Sequence, residues 1–228
     1  MNIIWEEGTQ YVNVDTSTPH GLSRARSLHL AQSGVVDVII TPHIFETAEI
    51  FDSIHKGRMF TMIRHPIERA ISMFYYLQNA TWEPSYDPRL KDMSIEDYVV
   101  SGRVEENWMT RFLVNKKTAP LGPKDVVLAR EILRKKFLIG LLSRKEESMR
   151  RFTRYFGWDT NTPEKQRCIY DFIQKGVNQN EHPSIDRGSK VWEYLMMNNR
   201  YDMELYMYAV QLFDEQVAEL TLKNVLNF

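Results

Sequence analysis

Residues 59–77, MFTMIRHPIERAISMFYYL, set the architecture of the whole chain. A short apolar run, Met59–Ile63, stops at Arg64, and Pro66 follows at a position suited to the first turn of a helix. Winding that helix at about 100° per residue puts Ala70, Phe74 and Leu77 on one side, with Ile71 at its edge. Arg69, Ser72, Met73 and Tyr76 fall on the other side, related by three- and four-residue steps. The pattern predicts a buried strand that ends on a cation, then a helix whose Ser72 lies outside the core.

The flanking sequence repeats the alternation. Tyr11–Asp15 (YVNVD) reads as a strand, and a turn and helix follow that close near Gly34. Val35–Pro42 (VVDVIITP) is a β-branched run ended by proline, the pattern of a buried strand. The stretch from His43 to Gly57 reads as a helix with a glycine at its C-cap. Three strand–helix alternations predict an α/β fold, a parallel sheet flanked by helices. Later, Ser94 and Asp97 form a capping arrangement, PKDVVLAREILRKK reads as a helix, and Phe137–Leu142 (FLIGLL) as another buried strand. KEESMRRFTRYFG is the helix after it, and the chain from Lys190 to its end is helical. Repeats, low-complexity tracts and linkers are missing, which predicts a single domain over 1–228.

Composition narrows the functional classes. With 29 Lys+Arg against 30 Asp+Glu the net charge is −1, which gives no reason to expect a nucleic-acid partner. The basic clusters Arg134-Lys135-Lys136 and Arg150-Arg151 read as solvated helix faces. Cys168 is the single cysteine, so no intrachain disulfide and no cysteine-based metal spacing exists. No apolar run approaches the roughly 20 residues that span a bilayer.

Ligands of open α/β sheets bind beyond the carboxyl ends of the strands. There a helix N-terminus favours anions, a guanidinium offers a planar fork of donors, and a serine hydroxyl adds another. Arg64 and Ser72 thus fit a phosphate clamp. The competing reading pairs Arg64 with a nearby carboxylate such as Glu68 and leaves Ser72 on a wet helix face.

RHPIERAISMFYY resembles the 3′-phosphate-binding segment of the sulfotransferases, R-x-P-x-x-R-x-x-S, with Arg64, Pro66, Arg69 and Ser72 at the matching positions. ENWMTRFL (106–113) is similar to the N-x-x-T-R-x-L segment of carbohydrate sulfotransferases related to the heparan sulfate 2-O-sulfotransferases. KKFLIGLLSRKEESMRRF resembles a later strand and helix of the same family. The resemblance covers most of the chain from Tyr11. It implies a P-loop NTPase-like sulfotransferase fold with a helical C-terminal part. It also implies transfer of a sulfuryl group from 3′-phosphoadenosine-5′-phosphosulfate (PAPS) to a hydroxyl of a carbohydrate or polysaccharide, leaving PAP and using no metal. Arg64 and Ser72 would hold the 3′-phosphate, with Arg69 as a supporting ion-pair residue. Asn107 and Arg111 are candidates for substrate contact, on one face if their stretch is helical, or else they pair within the fold.

Transfer to a hydroxyl needs a proton acceptor, and histidine suits this near neutral pH. Related 2-O-sulfotransferases place a histidine base close to the position of His43, just past the run ending at Pro42. His43 is therefore the expected general base, the alternative being a helix-cap or loop histidine. His55 reads as a surface residue, and His20 and His182 as loop residues without a named partner. The family's opening strand and lysine-bearing loop, which hold the 5′-phosphosulfate, have no counterpart before Tyr11. The expectation is an N-terminally truncated member, or else a natural form that binds PAP or sugar without catalysis. The family implies a Golgi location, and Asn79-Ala80-Thr81 is a glycosylation sequon consistent with a luminal glycoprotein.

Overall fold

The computed structural model describes residues 2–6, 9–83, 85–175 and 183–225. His182 lies outside the described residues. The chain divides into two compact units, residues 1–58 with 111–121 and residues 59–110 with 122–228.

In the first unit, β1 (Ile3–Glu6) and β2 (Thr9–Val12) form an antiparallel pair with Ile3 opposite Val12 and Ile4 opposite Tyr11. Helix α1 (Pro19–Ser27) opens on Thr18, whose side chain accepts from the Gly21 amide. His20 therefore lies in the first turn of a helix and not in a loop. A single turn, α2 (Leu30–Ser33), is closed by Gly34 at φ 63°, and α3 (Ile44–Ala48) follows. Leu22, Ala25, Leu30 and Ile50 form a small core, with Val36 and Ile39 packed partly against it.

Three expected secondary-structure elements also differ in this unit. The strand expected at Tyr11–Asp15 is β2, which ends at Val12 and pairs antiparallel with β1, so it joins no parallel sheet. Val35–Pro42 forms no strand. Only Val36 and Ile39 turn toward the core, three residues apart, while Val35 and Val38 are exposed and Ile40 is 79% exposed. A β-branched run becomes a strand only where a neighbouring ladder takes its amides and carbonyls, and none of the described residues offers one. The helix expected to run to Gly57 stops at Ala48. Asp52 accepts hydrogen bonds from the amides of Ile54 and His55 at 2.8 and 2.6 Å, a side-chain turn that competes with further helix. His55 faces the same carboxylate at 3.0 Å.

The second unit begins with β3 (Met59–Ile63) and α4 (Pro66–Leu77), as the opening stretch predicts. Ala70, Ile71, Phe74 and Leu77 are buried, and Arg69, Ser72, Met73 and Tyr76 are half-buried on the other face. Helix α5 (Ile95–Val100) starts at Ser94, whose hydroxyl oxygen accepts from the Asp97 amide at 3.0 Å. Next come α6 (Trp108–Leu113), whose residues from Arg111 belong to the first unit, then α7 (Pro123–Lys136) and β4 (Phe137–Leu141). Helices α8 (Lys145–Phe156), α9 (Pro163–Lys175), α10 (Lys190–Asn198) and α11 (Arg200–Val225) complete it.

Strands β3 and β4 pair in parallel, Met59 opposite Phe137 and Ile63 opposite Leu141. The chain is thus a helix-rich α/β protein, but its parallel sheet has two strands among the described residues, fewer than the three alternations imply. Side chains complete backbone hydrogen bonding on β4: Gln216 Oε1 accepts from the Ile139 amide and its Nε2 donates to the Phe137 carbonyl. The Leu141 amide donates to Ser148 Oγ at 2.9 Å. Gly140 admits the buried Phe152 ring, since a Cβ there would lie 2.5 Å from Phe152 Cζ. Arg151 is not on a solvated face: it is 7% exposed, donates to the Phe213 carbonyl at 2.7 Å and stacks on the Phe213 ring. No helix among the described residues is long and apolar enough to cross a membrane.

Candidate anion site at the end of strand β3

Arg64 follows directly on β3 and is partly buried as a residue. Among the described residues it makes no hydrogen bond and no ion pair. Burial lowers its pKa from the ordinary arginine value, the Glu68 carboxylate raises it, and the like charge of Arg69 lowers it further. The carboxylate that the competing reading assigned to Arg64 has another neighbour: Arg187 Nη2 lies 3.8 Å from Glu68 Oε1.

Helix α4 starts directly after Arg64 and His65 without a side-chain cap, and Pro66 at its first position has no amide proton to leave unpaired. Ser72 sits two turns along, half-buried, with no hydrogen bond from its hydroxyl among the described residues. A mid-helix serine commonly donates to a carbonyl one turn back. Its absence leaves the hydroxyl available to a ligand. Arg69, on the same face as Ser72, is held: Nη2 donates to Glu105 at 2.9 Å and the guanidinium lies 4.4 Å over Trp108. That is the ion-pair role expected of it.

No motif or spacing in the sequence singles out His65 or Arg187. The His65 ring lies 5.5 Å from Trp192 and 5.2 Å from Tyr206, and its buried Nδ1 has no partner. Burial lowers its pKa from the ordinary histidine value, against the pull of Glu68. Arg187 carries a largely exposed guanidinium 5.6 Å from the Trp192 ring. Its ion pair with Glu68 links it to α4, which no sequence spacing reveals.

His43 belongs to the first unit and precedes α3 in a loop, not at the end of a strand. Its Nε2 lies 3.0 Å from the Ser17 carbonyl, an acceptor only, so Nε2 carries the proton. The basic lone pair is therefore on Nδ1, which is buried without a partner. The Phe112 ring centroid is 6.0 Å from that of His43.

Asn107 and Arg111 do not share a helix face. Asn107 sits before α6 at φ 50° and is 6% exposed. Its Oδ1 accepts from the amides of Tyr201 and Asp202 at 2.9 and 3.2 Å, and its Nδ2 donates to the Asn198 carbonyl at 2.8 Å. Asp202 answers in kind, accepting from the Met109 amide, the Thr110 amide and the Thr110 hydroxyl at 2.9, 2.8 and 2.7 Å. Each helix start, α6 and α11, is capped by a side chain from the other. Asn107 is taken up by the fold. Arg111, in the first unit, donates from Nη1 to the carbonyls of Lys116 and Ala119 at 3.2 and 2.9 Å, tying its own loop.

Among the described residues no group of three or more His, Cys, Asp or Glu side chains is placed to hold a metal ion. Searches against protein-family models, curated proteins and solved structures returned no match.

Proposed function

We propose that the end of β3 binds the 3′-phosphate of PAPS or PAP, and that the chain is a sulfotransferase acting on a carbohydrate hydroxyl. The observation that carries this reading is Arg64, a partly buried cation next to an uncapped helix start, without hydrogen bond or ion pair among the described residues. Burying a cation unpaired is costly, and a bound phosphate relieves that cost through charge-assisted hydrogen bonds. Ser72 supplies a further donor from the same helix. The sulfotransferase motif that these residues match, and the α/β pairing of β3 with β4, support the assignment. In the proposal PAPS supplies the sulfuryl group, and His43, in the first unit, is the base that the family resemblance implies. The Golgi location and a glycan at Asn79 belong to the same reading; Asn79 is exposed just past the end of α4.

One observation favours a second reading, a chain that binds PAP without catalysis. His43 donates Nε2–H to Ser17 and keeps Nδ1 buried, so neither ring nitrogen is open to an acceptor hydroxyl.

Calorimetric titration of PAP into the chain tests the site. Arg64→Ala should weaken binding by about 1.5–3 kcal/mol, the scale of a charge-assisted contact. Unchanged affinity removes Arg64 from the site. Transfer of labelled sulfate from PAPS to a polysaccharide then separates the two readings: turnover lost in His43→Ala supports catalysis, and binding without turnover supports the second.

A further inference from the structure

We propose that Asp202 is a positioning residue for the Arg64 site: by capping α6 it keeps Trp108 beneath Arg69 and so fixes the face of α4 that carries Ser72. The proposal rests on the phosphate-site reading above. Asp202 is 2% exposed and has no route to a ligand of its own.

The chain of contacts is continuous. Arg69 is held at two points, the Glu105 carboxylate and the Trp108 ring, and both lie on the segment between α5 and the first turn of α6. That first turn is fixed from the far side by the bonds of Met109 and Thr110 to Asp202. The Asn107 amide, just before it, donates to Asn199 Oδ1 at 3.0 Å. Asp202 also attracts Arg69 electrostatically without touching it. Arg69 in turn lies close enough for its charge to bear on Arg64. Held between Glu105 and Trp108, the Arg69 cation is partnered and stationary. Released, it becomes a mobile like charge beside Arg64, and the helix face three residues before Ser72 loses its brace.

The test is a double-mutant cycle read by PAP titration, at a temperature where circular dichroism finds every variant folded. Wild type and Arg64→Ala come first. If wild type does not bind PAP, or Arg64→Ala binds it equally well, the phosphate reading fails and the positioning claim falls with it. Given that site, Asp202→Asn and Arg69→Gln should each weaken PAP binding about 5–20-fold, and the double variant should be no weaker than Arg69→Gln alone. A general loosening of the fold does not produce that non-additivity. Affinity unchanged in Asp202→Asn, or effects that multiply, overturns the proposal.

Should Asp202→Asn fail to fold, Trp108 decides the matter. Trp108→Leu removes the ring under Arg69 and leaves the capping bonds in place, so it should reproduce the weakening. Trp108→Phe keeps a ring and should restore most of the affinity. Equal affinities in Leu and Phe variants count against the mechanism.

Discussion

Asn107 offers the sharpest test of the packing, because one small side chain serves two helices. In Asn107→Ala the amides of Tyr201 and Asp202 lose their acceptor and the Asn198 carbonyl loses its donor. Deleting an N-cap side chain costs about 1–2 kcal/mol. Leaving the partly buried Asn198 carbonyl without its donor adds about 1–2 kcal/mol. The backbone contributes separately, since Asn107 sits at φ 50°, where asparagine is tolerated and alanine pays roughly 1 kcal/mol. The total is about 3–5 kcal/mol. Asn107→Gly loses the same hydrogen bonds but is at ease in that conformation, so it should be about 1 kcal/mol less harmful than alanine. Urea unfolding followed by tryptophan fluorescence reads both values, because Trp108 and Trp192 belong to the second unit. A loss below 1 kcal/mol in Asn107→Ala refutes the reciprocal cap. A glycine variant less stable than the alanine variant refutes the backbone part of the argument.

Two other outcomes follow from the packing of the same unit. Gly140→Ala places a methyl 2.5 Å from Phe152 Cζ and 3.2 Å from Met62 Sδ, so overpacking should cost about 1–3 kcal/mol, and an unshifted thermal midpoint counts against this β4–α8 contact. Tyr98 is 3% exposed, and burial pushes its hydroxyl from 10.0 up to about 12. In an ultraviolet alkaline titration it should ionise after the exposed tyrosines. Its contribution to stability is full below pH 10 and is lost as pH rises toward 12, because the unfolded chain releases that proton first. Ionisation together with the exposed tyrosines contradicts its placement.

The β3–α4 stretch was legible because every local signal agrees there. The apolar run, the proline in the first helical turn and the buried face from Ala70 to Leu77 all specify one geometry. Residues 35–42 were misread because β-branched residues signal a strand only where a partner ladder exists, and pairing is not a local property. The helix after His43 was overextended because Asp52 acts through its side chain on Ile54 and His55, a competition that hydrophobic periodicity ignores. Asn107 and Asp202 were illegible for another reason. Asn199-Arg200-Tyr201-Asp202 reads locally as a helix start with an acid in its first turn. In the fold Asp202 reaches instead to α6, and Asn107 comes from more than ninety residues away to cap α11. Only the tertiary approach of the two helix starts creates that exchange.

Arg64 gains its meaning from comparison with Arg151. Burial lowers the pKa of both guanidinium groups from the ordinary arginine value. Around Arg151 the fold supplies a carbonyl at 2.7 Å, the Glu147 carboxylate at 3.2 Å and the face of Phe213 at 3.4 Å. Such compensation is what a buried cation ordinarily requires. Arg150 and Arg154 on the same helix lack protein partners among the described residues, but both are exposed and water serves them. Among the described residues Arg64 makes no contact like those of Arg151, the Glu68 carboxylate bears on it through its charge alone, and it is less exposed than Arg150. In the proposed reading, a partly buried cation at an uncapped helix start is complemented by an anion from outside the chain. The phosphate reading thus rests on an imbalance in the fold itself, and Arg64→Ala should stabilise the free chain slightly while it weakens PAP binding. Loss of stability in that variant without ligand assigns Arg64 a structural role and removes the physical basis for the site.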